Sequence, residues 1–259
     1  MTELNADNIE AAVTADPDLL MLASLLCSYP SVELGANLSE ILKDDALLQE
    51  ATRIAPGPWG TVLSFLRACA SQPERLEDWR SEYVDLFDRS PESSPLYETE
   101  YGRARALAKG NQLSDISGFY KAFGFDLSDQ AETKEMADHL AVELEFYALL
   151  GMKEFHFREQ GNVEAFDIVH SARRRFLEDH LGTYLGAVLK RPGMQRSPFF
   201  FALISWVTQM IEGDIAAYGV KPKRVEWATG EDADESMCCG GDLLSGSGCS
   251  PRAQDSKGI

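Results

Sequence analysis

Apolar residues recur at helical spacing along almost the whole chain, and no segment alternates apolar with polar residues as a half-buried strand does. Asp16-Pro17-Asp18 reads as a helix cap with proline in the first turn, ahead of Leu19, Leu22, Ala23 and Leu26 on one face. Tyr29-Pro30 closes that helix. Ser39 to Thr52 gives a second, ended by Pro56-Gly57-Pro58, and Trp59 to Ala70 a third. Pro73 to Phe87 spaces Leu76, Trp79, Tyr83 and Phe87 three or four apart, which makes an aromatic face. Beyond a turn-rich loop from Arg89 to Pro95, helices are predicted over Thr99 to Ala108, Ser114 to Phe123, Thr133 to Gln160, Val163 to Leu189 and Ser197 to Tyr218. A break is expected at Gly182 or Gly186. With 259 residues to bury a core, the expectation is an all-α domain of nine or ten helices over residues 15–225. An extension (1–14) precedes it, a hinge is placed near 124–133, and a mobile acidic tail rich in Gly, Ser and Cys follows (226–259).

Charge narrows the partners. Lys and Arg total 24 against 42 Asp and Glu, a formal charge of -18, which repels a phosphate backbone and disfavours nucleic acid as a ligand. Seven acids precede the first basic residue, Lys43, the reverse of a secretory or transit start, so the chain is expected to stay in the cytoplasm. Apolar runs such as Leu19 to Ala23 fall short of the roughly 20 residues that span a bilayer, and no membrane insertion is expected. Five cysteines without framework spacing fit a reducing compartment.

Common catalytic fingerprints are missing. There is no phosphate-binding glycine loop, no G-x-S-x-G elbow and no H-E-x-x-H. A di-iron bundle needs Glu-x-x-His on two helices, and the nearest approach is Asp167-Ile168-Val169-His170 alone. Cys238, Cys239 and Cys249 lack C-x-x-C spacing and read as free thiols of the tail. Arg173-Arg174-Arg175 reads as a solvated helix face. No cofactor is assigned.

Two clusters stand out. In the first, Tyr83-Val84-Asp85-Leu86-Phe87-Asp88 continues through Pro95-Leu96-Tyr97-Glu98-Thr99-Glu100-Tyr101, with acids and aromatics interleaved. Rings supply rigid contact area and carboxylates take a guanidinium fork, so this suits a peptide with apolar and arginine side chains; a helix end packed on its own core is the alternative. In the second, a helix through Glu135, Asp138, His139, Glu143 and Glu145 places Glu135, His139 and Glu143 on one stripe. The expectation is a cationic His139 held between carboxylates, either as an internal network that fixes helix packing or as a binding site.

At these clusters the chain resembles the TorD/DmsD/NarJ family of cytoplasmic chaperones that mature molybdenum enzymes of the dimethyl sulfoxide reductase class. The residues that carry the resemblance are Tyr83, Leu86 and Phe87; then Pro95, Tyr97, Thr99 and Tyr101; then Glu135, Asp138, His139, Glu143 and Leu144. Leu96 separates Pro95 from Tyr97, and Thr99 stands where serine is usual. The resemblance implies a helical, non-enzymatic protein, monomeric or a helix-exchanged dimer. Such a protein binds the twin-arginine signal peptide of a molybdopterin-containing catalytic subunit, delays its export and assists cofactor insertion. The client-binding candidates are thus Tyr83, Asp85, Leu86, Phe87, Asp88, Pro95, Tyr97, Glu98, Thr99, Tyr101, Glu135, Asp138, His139 and Glu143. The competing reading is a helical metal-dependent enzyme using His139, Glu143 and the tail cysteines.

Overall fold

Asp16 caps the first helix as its sequence requires: its carboxylate accepts from the Asp18 N–H, and Pro17 occupies the first turn. The computed structural model describes residues 14–88, 95–102, 105–126 and 135–226. The extension before residue 14, most of the expected hinge (127–133) and the cysteine tail lie outside the described residues.

The elements in order are α1 (Pro17–Cys27), α2 (Val32–Ile41), α3 (Asp45–Ile54), α4 (Pro56–Ser71) and α5 (Arg75–Phe87), then a 3-10 turn (Glu98–Glu100) and α6 (Arg105–Ala122). They continue with α7 (Leu140–Glu159), α8 (Val163–Phe176), a π turn (Leu177–Leu181), α9 (Gly182–Leu189), a second 3-10 turn (Pro192–Arg196) and α10 (Pro198–Tyr218). The all-α expectation holds, and among the described residues the only β pairing is the isolated bridge Tyr97 to His139.

Boundaries moved where local chemistry outweighed periodicity. The expected helix from Ser39 to Thr52 is two helices: Ser31 caps α2, and Asp44 accepts from the Leu47 N–H to start α3. Pro56-Gly57-Pro58 opens α4 rather than ending its predecessor, because proline is tolerated in a first turn. The helices expected at Thr99 to Ala108 and Ser114 to Phe123 merge into α6 behind the 3-10 turn. The helix expected from Thr133 begins only at Leu140, since His139 caps it.

The break near Gly182 is a π turn, and it leaves no room for a larger residue. A Cβ on Gly182 would lie 2.4 Å from the Leu177 carbonyl oxygen and 2.7 Å from Pro222, whereas one on Gly186 would meet nothing. The insertion rotates His180 inward, where it is 3% exposed.

Helix α7 is the central strut, with α1 on one side and α8 on another, and α10 packs on α4 and α9. Ser24 of α1 donates to the Ala141 carbonyl of α7 at 2.7 Å. Trp59 lies against Trp206 with ring centroids 4.7 Å apart, and Phe65 stacks on Phe199 at 4.1 Å. Helix α10 is long and apolar enough to cross a membrane, but most of it lies in this core.

Arg173 overturns the expectation of a solvated arginine face, being 2% exposed. Its guanidinium meets Glu154 at 2.9 Å and Asp214 at 3.5 Å and lies 4.6 Å from the Tyr147 ring centre. Tyr147 and Tyr218 donate to Asp214 and Glu154, and the Ala15 N–H donates to Asp214 at 2.6 Å. Burial alone would raise the Glu154 pKa, but the hydrogen bonds from His170 and Arg173 hold it down to about 2. One arginine thereby fastens α7, α8, α10 and the lead-in to α1.

Candidate functional site

The loop ahead of α6 is sewn to the start of α7 by backbone hydrogen bonds. Glu98 N–H donates to the Asp138 carbonyl at 2.9 Å, and Leu140 N–H donates to the Leu96 carbonyl at 2.7 Å. Side chains complete the seam. The Thr99 hydroxyl donates to Asp138 Oδ2 at 2.6 Å, and Tyr97 Oη donates to Glu135 Oε2 at 3.0 Å. The two sequence clusters, 38 residues apart at that last bond, thus form one site.

His139 is not the cationic hub that the sequence suggests. Its Nδ1 accepts from the Ala141 N–H at 3.2 Å, capping α7, which leaves the ring proton on Nε2 facing Tyr83 Oη at 3.2 Å. Burial, at 1% exposure, lowers its pKa to about 3, so the ring is neutral. The expected stripe fails because Glu135 precedes the helix; its carboxylate stays 3.9 Å from Nε2, and burial raises its own pKa. Both His139 nitrogens are committed, so neither is open to a metal. Among the described residues no group of three or more His, Cys, Asp or Glu is arranged to hold one.

Exposure sorts the candidates into a rim and an interior. Asp85 and Asp88 are exposed, and Pro95, Tyr97 and Glu135 are partly so. Burial raises the pKa of Asp88, and the charge of Asp88 adds to the rise that burial causes at Glu135 and Tyr97. Tyr83, Leu86, Phe87, Glu98, Thr99, Tyr101, Asp138, His139 and Glu143 are buried. Leu86 and Phe87 belong to the core, with Phe87 edge-on to Tyr83 and Phe200, and Tyr101 donates back to the Pro95 carbonyl at 2.7 Å. The interior set shapes the loop and the cap; the rim set is open to solvent.

Beneath the seam lies a polar layer that periodicity only partly signalled. Glu143 Oε2 accepts from Tyr184 Oη at 3.2 Å, and Oε1 is buried without a hydrogen bond. Burial, then the charge of Glu98, raises the Glu143 pKa well above its ordinary range, so this carboxyl holds its proton. His180 Nδ1 lies 3.1 Å from Glu98 Oε2. Burial would lower the His180 pKa, but the hydrogen bond and charge of Glu98, with Asp115 and Asp179, raise it. Tyr184 and His180 belong to no motif, and no spacing in the sequence linked them to Glu98 or Glu143.

The site is thus a capped, carboxylate-rich loop seam over a buried acid that holds its proton. The sequence profile of the nitrate reductase delta subunit family matches residues 53–190, and the chain belongs to this family, that of TorD and NarJ. Over 145 residues it is 27% identical to the perchlorate reductase assembly chaperone protein of Dechloromonas aromatica (strain RCB), covering 54% of this chain and 61% of that protein. It is 26% identical over 167 residues to the chaperone protein TorD of Vibrio vulnificus (strain CMCP6), covering 64% and 72%. It is 30% identical over 110 residues to the chlorate reductase assembly chaperone protein of Ideonella dechloratans, covering 42% and 54%.

Proposed function

We propose that the chain is an assembly chaperone, not an enzyme, for the catalytic subunit of a molybdopterin-containing oxidoreductase of the dimethyl sulfoxide reductase class. It works in the cytoplasm, binds the subunit's twin-arginine signal peptide, delays export and assists cofactor insertion. The observation that carries this reading is family membership together with relatives named as reductase assembly chaperones. The site's chemistry supports it. The rim of Asp88, Tyr97 and Glu135 joins carboxylates to an aromatic ring, and a signal peptide with paired arginines before an apolar run offers the complement. Glu135 is partly shielded by protein, which strengthens its attraction for a guanidinium above that of a fully exposed pair.

Affinity purification of the tagged full chain from its native host, with mass spectrometry of bound proteins, tests the partner; recovery of a molybdoenzyme catalytic subunit is expected. Calorimetric titration with that subunit's signal peptide tests the recognition. Replacing both arginines by glutamine is expected to weaken binding about 5-fold or more, and binding is expected to weaken as salt rises. Equal affinity for both peptides would remove the arginine reading.

A further inference from the structure

Between Leu140 and Glu154, helix α7 is buried on all sides but one: the residues left open are Glu145, Leu149, Met152 and Lys153. At 100° per residue these four share about 100° of arc. Three of them, Glu145, Leu149 and Met152, lead on to His156 at spacings of four, three and four, the seam that one helix offers to another. Helix α1 runs antiparallel alongside, since Ser24 bonds the Ala141 carbonyl and Pro17 sits against Gly151. It adds Met21 and Leu25, 37% and 38% exposed, to Met152 at 40%.

Two charges in this strip name what covers it. Glu145 and Lys153 stand four residues to either side of Leu149, and among the described residues neither side chain has a hydrogen bond or ion pair. Burial raises the Glu145 pKa, and no cation offsets it. A net charge of -18 sets whole molecules against one another, so a contact between copies needs a place where opposite charges meet. Antiparallel pairing about Leu149 provides one, because residues i and j then exchange partners as a two-fold axis requires. We propose that two copies of this chain pair through α7, antiparallel, with Leu149 on the axis and Glu145 of each on Lys153 of the other. Met21, Leu25 and Met152 are the apolar surface closed over between them. A parallel pairing would set Glu145 against itself. A foreign helix would need the same two charges reversed at the same spacing, which the second copy carries already. No helix is exchanged, and the two His139 caps lie at opposite ends, about 30 Å apart along α7 and clear of the seam.

Sedimentation velocity of the full chain over about 2 to 200 µM tests the pairing, and the wild type is expected to move from the mass of one chain toward that of two. Glu145→Lys and Lys153→Glu each make both ion pairs repulsive and should weaken association at least about 10-fold. The double reversal, Glu145→Lys with Lys153→Glu, restores both pairs and should return the affinity to within about 3-fold of the wild type. Both positions lie outside the core, and thermal melts of the dilute variants that match the wild type show that the fold is kept. A wild type that stays monomeric at about 200 µM would overturn the proposal. So would single reversals that associate as well as the wild type, or a double reversal that does not recover. A dimer that survives dilution and ignores every reversal would be held by exchanged helices, and it too would overturn the α7 seam.

Discussion

Tyr97 and His139 face each other across a lone antiparallel bridge, rings edge to face with centroids 4.9 Å apart. Tyr97, partly exposed, stands on the rim; His139, buried, caps α7. The posture of the rim therefore depends on a buried residue, and changes at His139 are expected to reach the proposed binding rim through Tyr97.

His139 gives the first prediction. Its folded pKa of about 3 lies below the unfolded value of about 6.5, so between them the unfolded chain takes up a proton that the folded chain refuses. Stability is complete above about 6.5 and declines as pH falls toward 3, by up to about 1.4 kcal/mol per pH unit. His139→Asn keeps an acceptor for the cap and loses the titration, so its urea midpoint should change less than that of the wild type between pH 7.5 and 5. A His139 pKa above 6.5 by NMR would contradict the neutral cap.

Glu143 has the opposite sign. Its raised pKa means that the folded chain holds a proton the unfolded chain releases, so the contribution is present at low pH and fades as pH rises through the folded value. Glu143→Gln mimics the protonated acid and still accepts from Tyr184. Denaturation midpoints compared at pH 6 and pH 9 should fall in the wild type and hold nearly level in the variant.

Arg173→Leu should cost about 3 to 5 kcal/mol, because Glu154 and Asp214 would remain buried without their cation. Arg173→Lys keeps the charge but not the two-sided fork and should lose an intermediate amount. Urea unfolding at constant pH measures both; a loss under about 1 kcal/mol for leucine would show that the network contributes little.

Two glycines separate packing from propensity. Gly182→Ala should destabilise by about 2 kcal/mol or more, since its Cβ would strike the Leu177 carbonyl and Pro222. Gly186→Ala, exposed and unobstructed in a helix, should stabilise by about 0.5 to 1 kcal/mol. Thermal melts of the two variants should move in opposite directions.

Helix type was legible because apolar spacing reports the face that must be buried, and Asp16-Pro17 marked its own start. Local capping was harder to read. Histidine is a rare cap, so the α7 start at Leu140 was hidden inside a continuous periodic run, and the Glu135 stripe went with it. Arg173 is the first of three consecutive arginines, and nothing local distinguished the buried one; its acids lie on α7 and α10. The seam residues Tyr97, Glu135 and Asp138 were visible as types, but their division into rim and interior depends on a loop whose path only the fold determines. His180 was missed because the π turn that points it inward has no spacing signature.

The clasp at Arg173 also orders events in the life of the chain. Ala15 bonds to Asp214, 199 residues later, so the first helix cannot be fastened until α10 has been made. Until then α1 is held through α7 and α3, and loop closure over that distance is slow compared with local helix formation. Completion of this fold thus waits on the last described helix. A chain truncated before residue 214 would leave uncovered the apolar surfaces of α4 and α9 that α10 packs on, so that a molecule proposed to shelter an unfinished enzyme would itself need sheltering until α10 is in place.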